Sequence, residues 1–592
     1  MAERSPACAL HRTLAIPAQL CFNTLRPAAK ARPVVTFHHL PDSHKIAIMH
    51  KQTIAVAGCG LAGLSTALLL HRDGHHVTLF ERFDTPQPLG SGLMLQTTGL
   101  AVLRELALDD AVLATGARID RLVGKAVPSG RTVLDVRFAV RDPASFGLGI
   151  HRGALFDVLF RAVAAAGLPI VTGRTVTSAP RDADGRRILN FSDAPAAGPF
   201  DLVVDTLGIA SPLQPIAGRA LPYGALWASL DWPGDASFDG HALEQRYVRA
   251  STMAGVLPIG RAPGSAVPQT ALFWSLRNDQ LDIWRTRGLA AWKNDVLRVW
   301  PATAPLLDQI DTPERLTFAS YVHRTTTTAA EPGLVHIGDA WHATSPQLGQ
   351  GANMAFLDAY ALTKALRESP DATAAGSRAI ARRRNHVRLY QGMSLLFTPV
   401  YQSDSHLLPL LRDRIAGPLS KLWPATRILA AMVSGLIGNP LAPLGLTAGP
   451  ATRHGPLAAI AGDSPLIVFD GECVLCSTQA QFVLRHDRHR RFRLTTAQGA
   501  IGQALYRELG LPTDSYQTML LIERGRALMH SEAVLGIADG LGWPWRAAAL
   551  LKAIPRAWRD RAYRLVARNR YRWFGRHDVC WRPTPEMTDR IL

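Results

Sequence analysis

A chain of 592 residues is too long for one small module; at roughly 150 residues per domain it has room for about four, although a single large fold can absorb more. Hydrophobic residues make up 47% and charged residues 19%, which excludes a fibrous or wholly disordered chain and suffices for a sizeable core. The balance of 65 Lys+Arg against 47 Asp+Glu leaves +18, a surplus that favours anionic partners such as phosphate cofactors, acidic lipid or nucleic acid without choosing among them. Six cysteines are too few for a secreted disulfide scaffold and point to a reduced, cytoplasmic protein, with Cys473 and Cys476 the one close pair.

Residues 1–48 hold six Lys+Arg, two acids and several prolines, show no helical period, and lack the apolar core and cleavage site of a signal peptide. They are expected to be a disordered, dispensable extension or the product of a start codon placed too early, since Met49 sits just before the first convincing strand. The nearest approach to a membrane span, 428–438, contains Ser434 and Gly435 and stops at Asn439-Pro440, so no spanning helix is expected.

From Gln52 the sequence reads TIAVAG, an apolar β-branched strand, then a glycine turn, then LAGLSTALLLHRDG with helical period, then the strand HHVTLFE. This βαβ unit carries Gly58-Cys-Gly60-Leu-Ala-Gly63, and Glu81 follows the last glycine by 18 residues. The first glycine permits the tight turn, the second lets a pyrophosphate approach the backbone, and the third lets helix pack on strand. Glu81 can accept from a ribose hydroxyl. An ADP-containing dinucleotide is the expected ligand, and Cys59 inside the turn is a small packing residue.

Residues 333–366 form a second constellation: the strand LVHI ends in Gly338-Asp339, a loop carries His342 and Pro346, and Gly349-Gln350-Gly351 opens a helix. An acid at a strand end can bind a ribityl or ribose hydroxyl, and the unpaired N–H groups of a helix start suit a carbonyl or phosphate oxygen. Between the two constellations, Arg152 begins a helix from which it can reach phosphate or simply face solvent.

Taken together, residues 52–400 resemble the class A FAD-dependent monooxygenases of the para-hydroxybenzoate hydroxylase type, through GCGLAG, the ERF after it, GSGLMLQTTGLAVLRELAL, Arg152–Leu155 and GDAWHATSPQLGQGAN. The resemblance implies an α/β fold, a Rossmann-like FAD-binding domain over 49–400 with an inserted β-sheet substrate domain at about 90–145 and 220–320. It implies that Gly58, Gly60, Gly63, Glu81, Arg82 and Arg152 hold the ADP half of FAD with Val176 near the adenine. Asp339 and the helix start Gly349, Gln350, Gly351, Ala352 and Asn353 would hold the ribityl and isoalloxazine half, with Pro346 near the ring. One departure stands out: FDLVVDTLGIAS has Leu207 where the family usually carries an aspartate linked to FAD and NAD(P)H, and Asp205 could stand in only partly. In the second sheet stretch Trp227, Tyr247 and Phe273 could face an aromatic or lipophilic substrate, although strand aromatics are more often core. Residues 401–463 read as a proline-broken helical tail and linker that caps the flavin domain or touches a membrane surface, packing being the expected role.

After the Gly/Pro-rich stretch 438–465 comes PLIVFDGECVLCSTQAQFVLRHD, read as strand, turn, Cys-x-x-Cys and helix. A thiolate at a helix N-terminus is stabilised by the dipole and by unpaired N–H groups, which makes Cys473 the attacking sulfur and Cys476 the resolving one. Zinc needs four ligands, and His486 and His489 have poor finger spacing, so no metal site is expected. Residues 464–592 resemble the DCC family of thiol-disulfide oxidoreductases through Asp470-x-x-Cys473-x-x-Cys476, SEAVLGIADGLGWPW, IPRAWRD and YRLVARNRYRWFG, followed by Cys580, which implies a thioredoxin-like fold. This module holds 20 Lys+Arg against 12 Asp+Glu. YRLVARNRYRWFGRH interleaves arginine with aromatics in a way that can bind nucleic acid, but without a nucleic-acid fold a solvated amphipathic helix or an acidic partner is expected instead.

The expected activity is oxygen insertion from O2 into an aromatic or unsaturated small organic substrate with NAD(P)H as reductant, beside a thiol module whose partner is a protein or small-molecule thiol. A flavin-dependent dehydrogenase or disulfide reductase feeding Cys473/Cys476, and a non-catalytic redox-sensing or binding C-terminal module, remain the alternatives.

Overall fold

The computed structural model describes residues 51–448 and 465–591, apart from residues 88–89, 143, 215–217, 235–236, 327, 489, 510, 514–515, 517, 524–525 and 577–589. The extension 1–48, most of the Gly/Pro-rich junction and Cys580 lie outside the described residues.

The strand Thr53–Ala57 pairs in parallel with His76–Phe80 on one side and Leu202–Asp205 on the other. Ile170–Val171, Leu334–His336 and the antiparallel Ala330–Glu331 complete a six-stranded sheet. Its central strand is buried from Ile54 to Ala57, which is why that run is continuously apolar rather than alternating. The helix Leu61–Arg72 packs against the helices Arg152–Ala165 and Gly351–Arg367 and buries Leu64, Leu68, Leu69 and Leu70, each contributing about 1.5–3 kcal/mol by removal from water. The crossover therefore brings the turn at Gly58–Gly63 and the loop before Gly351 to the same, carboxyl edge of the sheet, where open α/β sheets bind ligands.

A second sheet of eight strands runs in the order His342–Ala343, Thr317–Thr325, Arg219–Asp231, Pro268–Arg277, Thr252–Arg261, Ala242–Val248, Arg121–Ala126 and Thr132–Arg137. It is antiparallel except where Ala242–Val248 lies parallel to Arg121–Ala126. Residues from two distant stretches thus build one sheet. The helix Ala372–Tyr401 follows, capped by the Asp371 side chain on the Ala374 N–H, and the shorter helices Leu407–Leu411 and Ala425–Val433 fold back towards this sheet.

The C-terminal domain has a four-stranded mixed sheet ordered Arg493–Thr496, Leu466–Phe469, Leu520–Glu523, Arg526–Met529, with the first pair parallel and the others antiparallel. The helix Val474–His486 crosses between the parallel pair, giving the βαβ–ββ arrangement of a thioredoxin-like fold. Its cores, around Phe469, Phe492 and Leu521 on one face and Val468, Leu505 and Tyr506 on the other, draw only on residues of this domain.

Candidate functional site

Two cavities meet at the carboxyl edge of the six-stranded sheet. One, of about 660 Å³, is bordered by Gly58, Gly60, Glu81, Arg82, Arg152, Arg174, Val176, Thr206 and Leu207. The other, of about 430 Å³, lies between the sheets and is bordered by Asp339, Pro346, Gly349, Gln350, Gly351 and Ala352 at one end and by Trp227, Tyr247, Phe273, Tyr321, Phe397 and Tyr401 at the other. Gly60, Leu61, Arg152, Thr206 and Gly208 border both, so the two form one bent channel.

The turn is shaped from its glycines outward. Gly58 has φ +104 and its N–H donates to the Phe80 carbonyl at 2.8 Å. A Cβ at Gly63 would stand 1.9 Å from the Gly58 carbonyl oxygen, so only glycine lets helix and turn close; Gly63 lies behind the cavity wall, not on it. A Cβ at Gly60 would meet nothing within 4 Å, because the backbone there faces the open channel. Glu81 is buried and accepts from the Cys59 N–H at 2.9 Å and the Phe83 N–H at 3.2 Å, tying the turn to the end of the second strand. Burial, and then the Glu81 charge, push the Cys59 thiol up to about 12, so it is an inert packing group.

Arg152 and Asp339 keep accessible surface because they border the channel, while protein packs closely around both. Burial raises the Asp339 carboxyl above its usual value against the opposing charges of His342, Arg152 and Arg324. The loop that carries Asp339 is held from behind by Asp358. That carboxylate accepts from the Gly338 N–H at 3.1 Å, pairs with His342 Nε2 at 2.6 Å and accepts from Arg383 Nε at 2.8 Å. Burial alone would raise Asp358, but His342 and Arg383 hold it below the usual carboxylate range. Arg383 in turn donates to His386 Nδ1 at 2.9 Å, and His386 Nε2 donates to the Gly435 carbonyl at 3.1 Å. Burial and the Arg383 charge lower His386 to about 3, so it is neutral, with its proton on Nε2.

Asn353 is also behind the wall. Its amide nitrogen donates to the Met94 carbonyl at 3.1 Å and to Gln96 Oε1 at 2.7 Å, while its oxygen accepts from the Gln96 N–H at 2.8 Å. Gln350 borders the channel, but its amide nitrogen is spent on Gln96 Oε1 and the Val433 carbonyl. Asp205 does not stand in for the aspartate that Leu207 replaces. It is buried, accepts from Ser211 Oγ at 2.6 Å and the Leu207 N–H at 3.0 Å, and faces His336 Nδ1 at 2.6 Å, whereas Leu207 borders the channel.

At the far end, the Trp227 and Phe273 rings lie 4.7 Å apart and the Tyr247 and Tyr401 rings 5.3 Å apart. Trp227 Nε1 donates to Tyr321 Oη at 3.2 Å, and burial raises the Tyr321 and Tyr247 hydroxyls, so both stay protonated. Among the described residues bordering this cavity the charged side chains are Arg152 and Asp339, both at the end shared with the first cavity. Sequence reasoning missed Arg174, Tyr321 and the wall formed by Phe397, Tyr401, Leu429, Met432 and Val433. None belongs to a local motif; Tyr401, Leu429, Met432 and Val433 come from the stretch read as tail and linker, and Phe397 lies just before it.

The geometry fits an extended dinucleotide. Gly60 leaves room at the backbone, three arginines border one cavity, the first-turn N–H groups of Leu61–Arg72 lack intrahelical acceptors, and Asp339 faces the bend.

In the C-terminal domain Cys473 caps the helix Val474–His486, and its sulfur accepts from the Cys476 N–H at 3.4 Å. The Cys476 thiol donating to it, helped by that N–H and by Arg570, brings Cys473 down to about 6 against its burial, while Cys476 is pushed up. Asp470 accepts from Arg570 at 2.8 Å, from Tyr571 at 2.5 Å and from Gln498 at 2.7 Å, which hold its carboxyl low despite burial. Cys473 has 0% of its surface exposed, whereas Cys476 is half-buried. The cover is thin. Arg576 bridges Cys473 across the backbone, the Val474 N–H reaches the Gly575 carbonyl at 3.5 Å, and Arg576 Nε donates to Glu472 at 3.0 Å.

A family model described as an FAD binding domain matches residues 51–191 and 301–380, and one described as DCC1-like thiol-disulfide oxidoreductase matches 467–576. Kynurenine 3-monooxygenase of Stenotrophomonas maltophilia (strain K279a) is 27% identical over 402 residues, spanning 63% of this chain and 85% of that protein. A chloroplastic DCC family protein of Arabidopsis thaliana is 38% identical over 117 residues, 20% of this chain and 68% of that protein. The crystal structure of Klebsiella pneumoniae HpxO complexed with FAD and uric acid superposes with a TM-score of 0.56 at 18% identity, covering 69% of this chain and 100% of HpxO, a likeness of fold.

Proposed function

We propose, for a chain that belongs through its C-terminal domain to the DCC family of thiol-disulfide oxidoreductases and carries an FAD-binding domain of the monooxygenase kind ahead of it, that the bent channel inserts one oxygen atom of O2 into a neutral, apolar aromatic substrate. The observation that supports this reading is the continuity of the two cavities. A cofactor lying along the first presents its reactive end to the second, which is walled by aromatic and aliphatic side chains.

FAD supplies the hydride acceptance and oxygen activation when bound. Gly58, Gly60 and the first turn of Leu61–Arg72 take its pyrophosphate with Arg152, Glu81 takes a ribose hydroxyl, and Arg82, Arg174 and Val176 surround the adenine side. Asp339 would hold the ribityl chain, and Pro346 with Gly349–Ala352, whose helix-start N–H groups lack intrahelical acceptors, would hold the ring. Gly63 and Asn353 act from behind, as positioning residues. The aromatic wall excludes water and orients the substrate, with the protonated Tyr321 hydroxyl, which accepts from Trp227, as its hydrogen-bond donor; the Tyr247 hydroxyl spends its proton on Gln245 Oε1 at 2.9 Å. No cation borders the cavity at that end, and Arg412, behind the Tyr247 and Tyr401 rings, is spent on Asp413 and two backbone carbonyls, which argues for a neutral substrate.

NADH or NADPH is the proposed reductant, and a cytoplasmic location follows from the cysteine usage. No described helix is long and apolar enough to cross a membrane. At the thiol site, the Cys473 thiolate attacks one sulfur of a partner disulfide and the other leaves as a thiolate. Cys476 then attacks Cys473, closing the internal disulfide and releasing the partner's second thiol.

The test is a panel of neutral aromatic and carboxylate substrates, followed by NAD(P)H consumption and product mass under 18O2. Labelled product from neutral compounds is expected. A product that has only lost two hydrogens replaces oxygen insertion with dehydrogenation, and turnover confined to carboxylates overturns the reading of the wall.

A further inference from the structure

We propose that the outer face of the C-terminal helix Arg556–Phe574 is a docking surface for an anionic lipid bilayer, which holds the Cys473 end of its domain at the membrane interface. At 100° per residue, Trp558, Leu565 and Trp573 fall within about 80° of arc. They are 73%, 59% and 52% exposed. The opposite face carries Asp560, Ala567 and Arg570, all buried. Large side chains left in water at this spacing are not the solvated face of an ordinary surface helix.

Charge completes the pattern. Arg561, Arg568 and Arg572 flank the apolar stripe on one side and are exposed, while Arg559 lies on the other. The one acid of the helix, Asp560, is turned inward to Ser531 and Arg556, so no acid of the helix's own outer face offsets these cations. Just before the helix, Trp543 and Leu550 add two more exposed apolar groups, 79% and 80% accessible. Tryptophan and leucine bordered by arginine match the boundary between acyl chains and anionic headgroups. A single-stranded nucleic acid would use the tryptophans for stacking but leave Leu565 and Leu550 unused. Because no described helix can cross a bilayer, this one would lie in the interface plane. The helix runs straight into Gly575 and Arg576, the residues that lie on Cys473, so docking brings the thiol site to the lipid surface.

The experiment is co-sedimentation of the full chain with phosphatidylcholine vesicles, with and without about one third phosphatidylglycerol. Binding to the anionic vesicles alone, weakening with salt, is expected. W558S/L565S/W573S and, separately, R561E/R568E/R572E should each lower the partition coefficient about tenfold or more, with FAD content and far-UV circular dichroism unchanged. L422S/W423S, on the exposed stretch of the flavin domain, should bind like wild type. The proposal is overturned by absence of binding to anionic vesicles, or by binding that survives both helix variants or is lost in L422S/W423S. It is equally overturned if the helix variants abolish a lipid-free dimer or an oligonucleotide complex while lipid binding stays as it was.

Discussion

A Cβ at Gly63 collides with a backbone carbonyl, whereas one at Gly60 projects into the channel, so two glycines of one turn separate folding from binding. Gly60→Val should melt close to wild type yet lose at least about tenfold in FAD content, its side chain occupying the cofactor's path. Gly63→Ala should lower stability by about 1–3 kcal/mol, because the helix must move off the turn. Thermal denaturation and flavin absorbance of both variants check the pair. At the thiol site, the lowered Cys473 value means that its thiolate forms as pH rises through about 6. Its alkylation rate should therefore level off by about pH 7.5, where an ordinary cysteine is still climbing towards about 8.5. A midpoint above 8 in the Cys476→Ala background, which removes the donor, would show that the Cys476 thiol, the largest lowering influence, carries the shift. The placement of Glu81 and Asp339 at the channel and of Cys473 at a helix start was legible because each sits at a fixed offset in a local strand–turn–helix. Arg174 and Tyr321 were not, since only tertiary packing brings them to the channel.

Among the elements, the helices Gly351–Arg367 and Ala372–Tyr401 are locked to the Asp339 loop through Asp358. Asp358→Asn leaves Arg383 buried without its counter-charge, and should cost about 3–5 kcal/mol. FAD should dissociate faster, as the Gly338 N–H loses its anionic acceptor. Calorimetry and a flavin-release assay read the two effects. The parallel sheet was legible from its apolar runs, and part of the eight-stranded sheet from alternation in the second of its two stretches; the first stretch was placed by the family resemblance alone. The stretch 393–433 was harder: prolines mark breaks but not direction, and its apolar residues divide between the cavity wall and the surface, so local periodicity did not show that Phe397, Tyr401 and Met432 border the cavity.

On the scale of the whole chain, the hydrophobic clusters of the flavin part and of the C-terminal domain share no residue. Two calorimetric transitions are therefore expected. FAD at about 100 times its Kd should raise the flavin transition by about 2.7 kcal/mol of stability and leave the other in place. Cys473→Ser should abolish thiol–disulfide exchange and leave FAD content and substrate-stimulated NAD(P)H oxidation near wild type. Loss of flavin turnover in that variant would instead favour the disulfide-reductase reading.

The Gly575–Arg576 cover over Cys473 makes thiol chemistry a gated process. The observed rate is the intrinsic thiolate rate multiplied by the fraction of molecules in which the cover stands open. Acidity and access are thus set by different groups: Cys476 and the helix start tune the first, the Glu472–Arg576 pair the second. Because that pair is surface-exposed, Glu472→Gln should speed iodoacetamide alkylation of Cys473 by about two- to fivefold without moving its pH midpoint. Added salt should speed the wild type and barely affect the variant, so ionic strength becomes a throttle on the domain's reactivity.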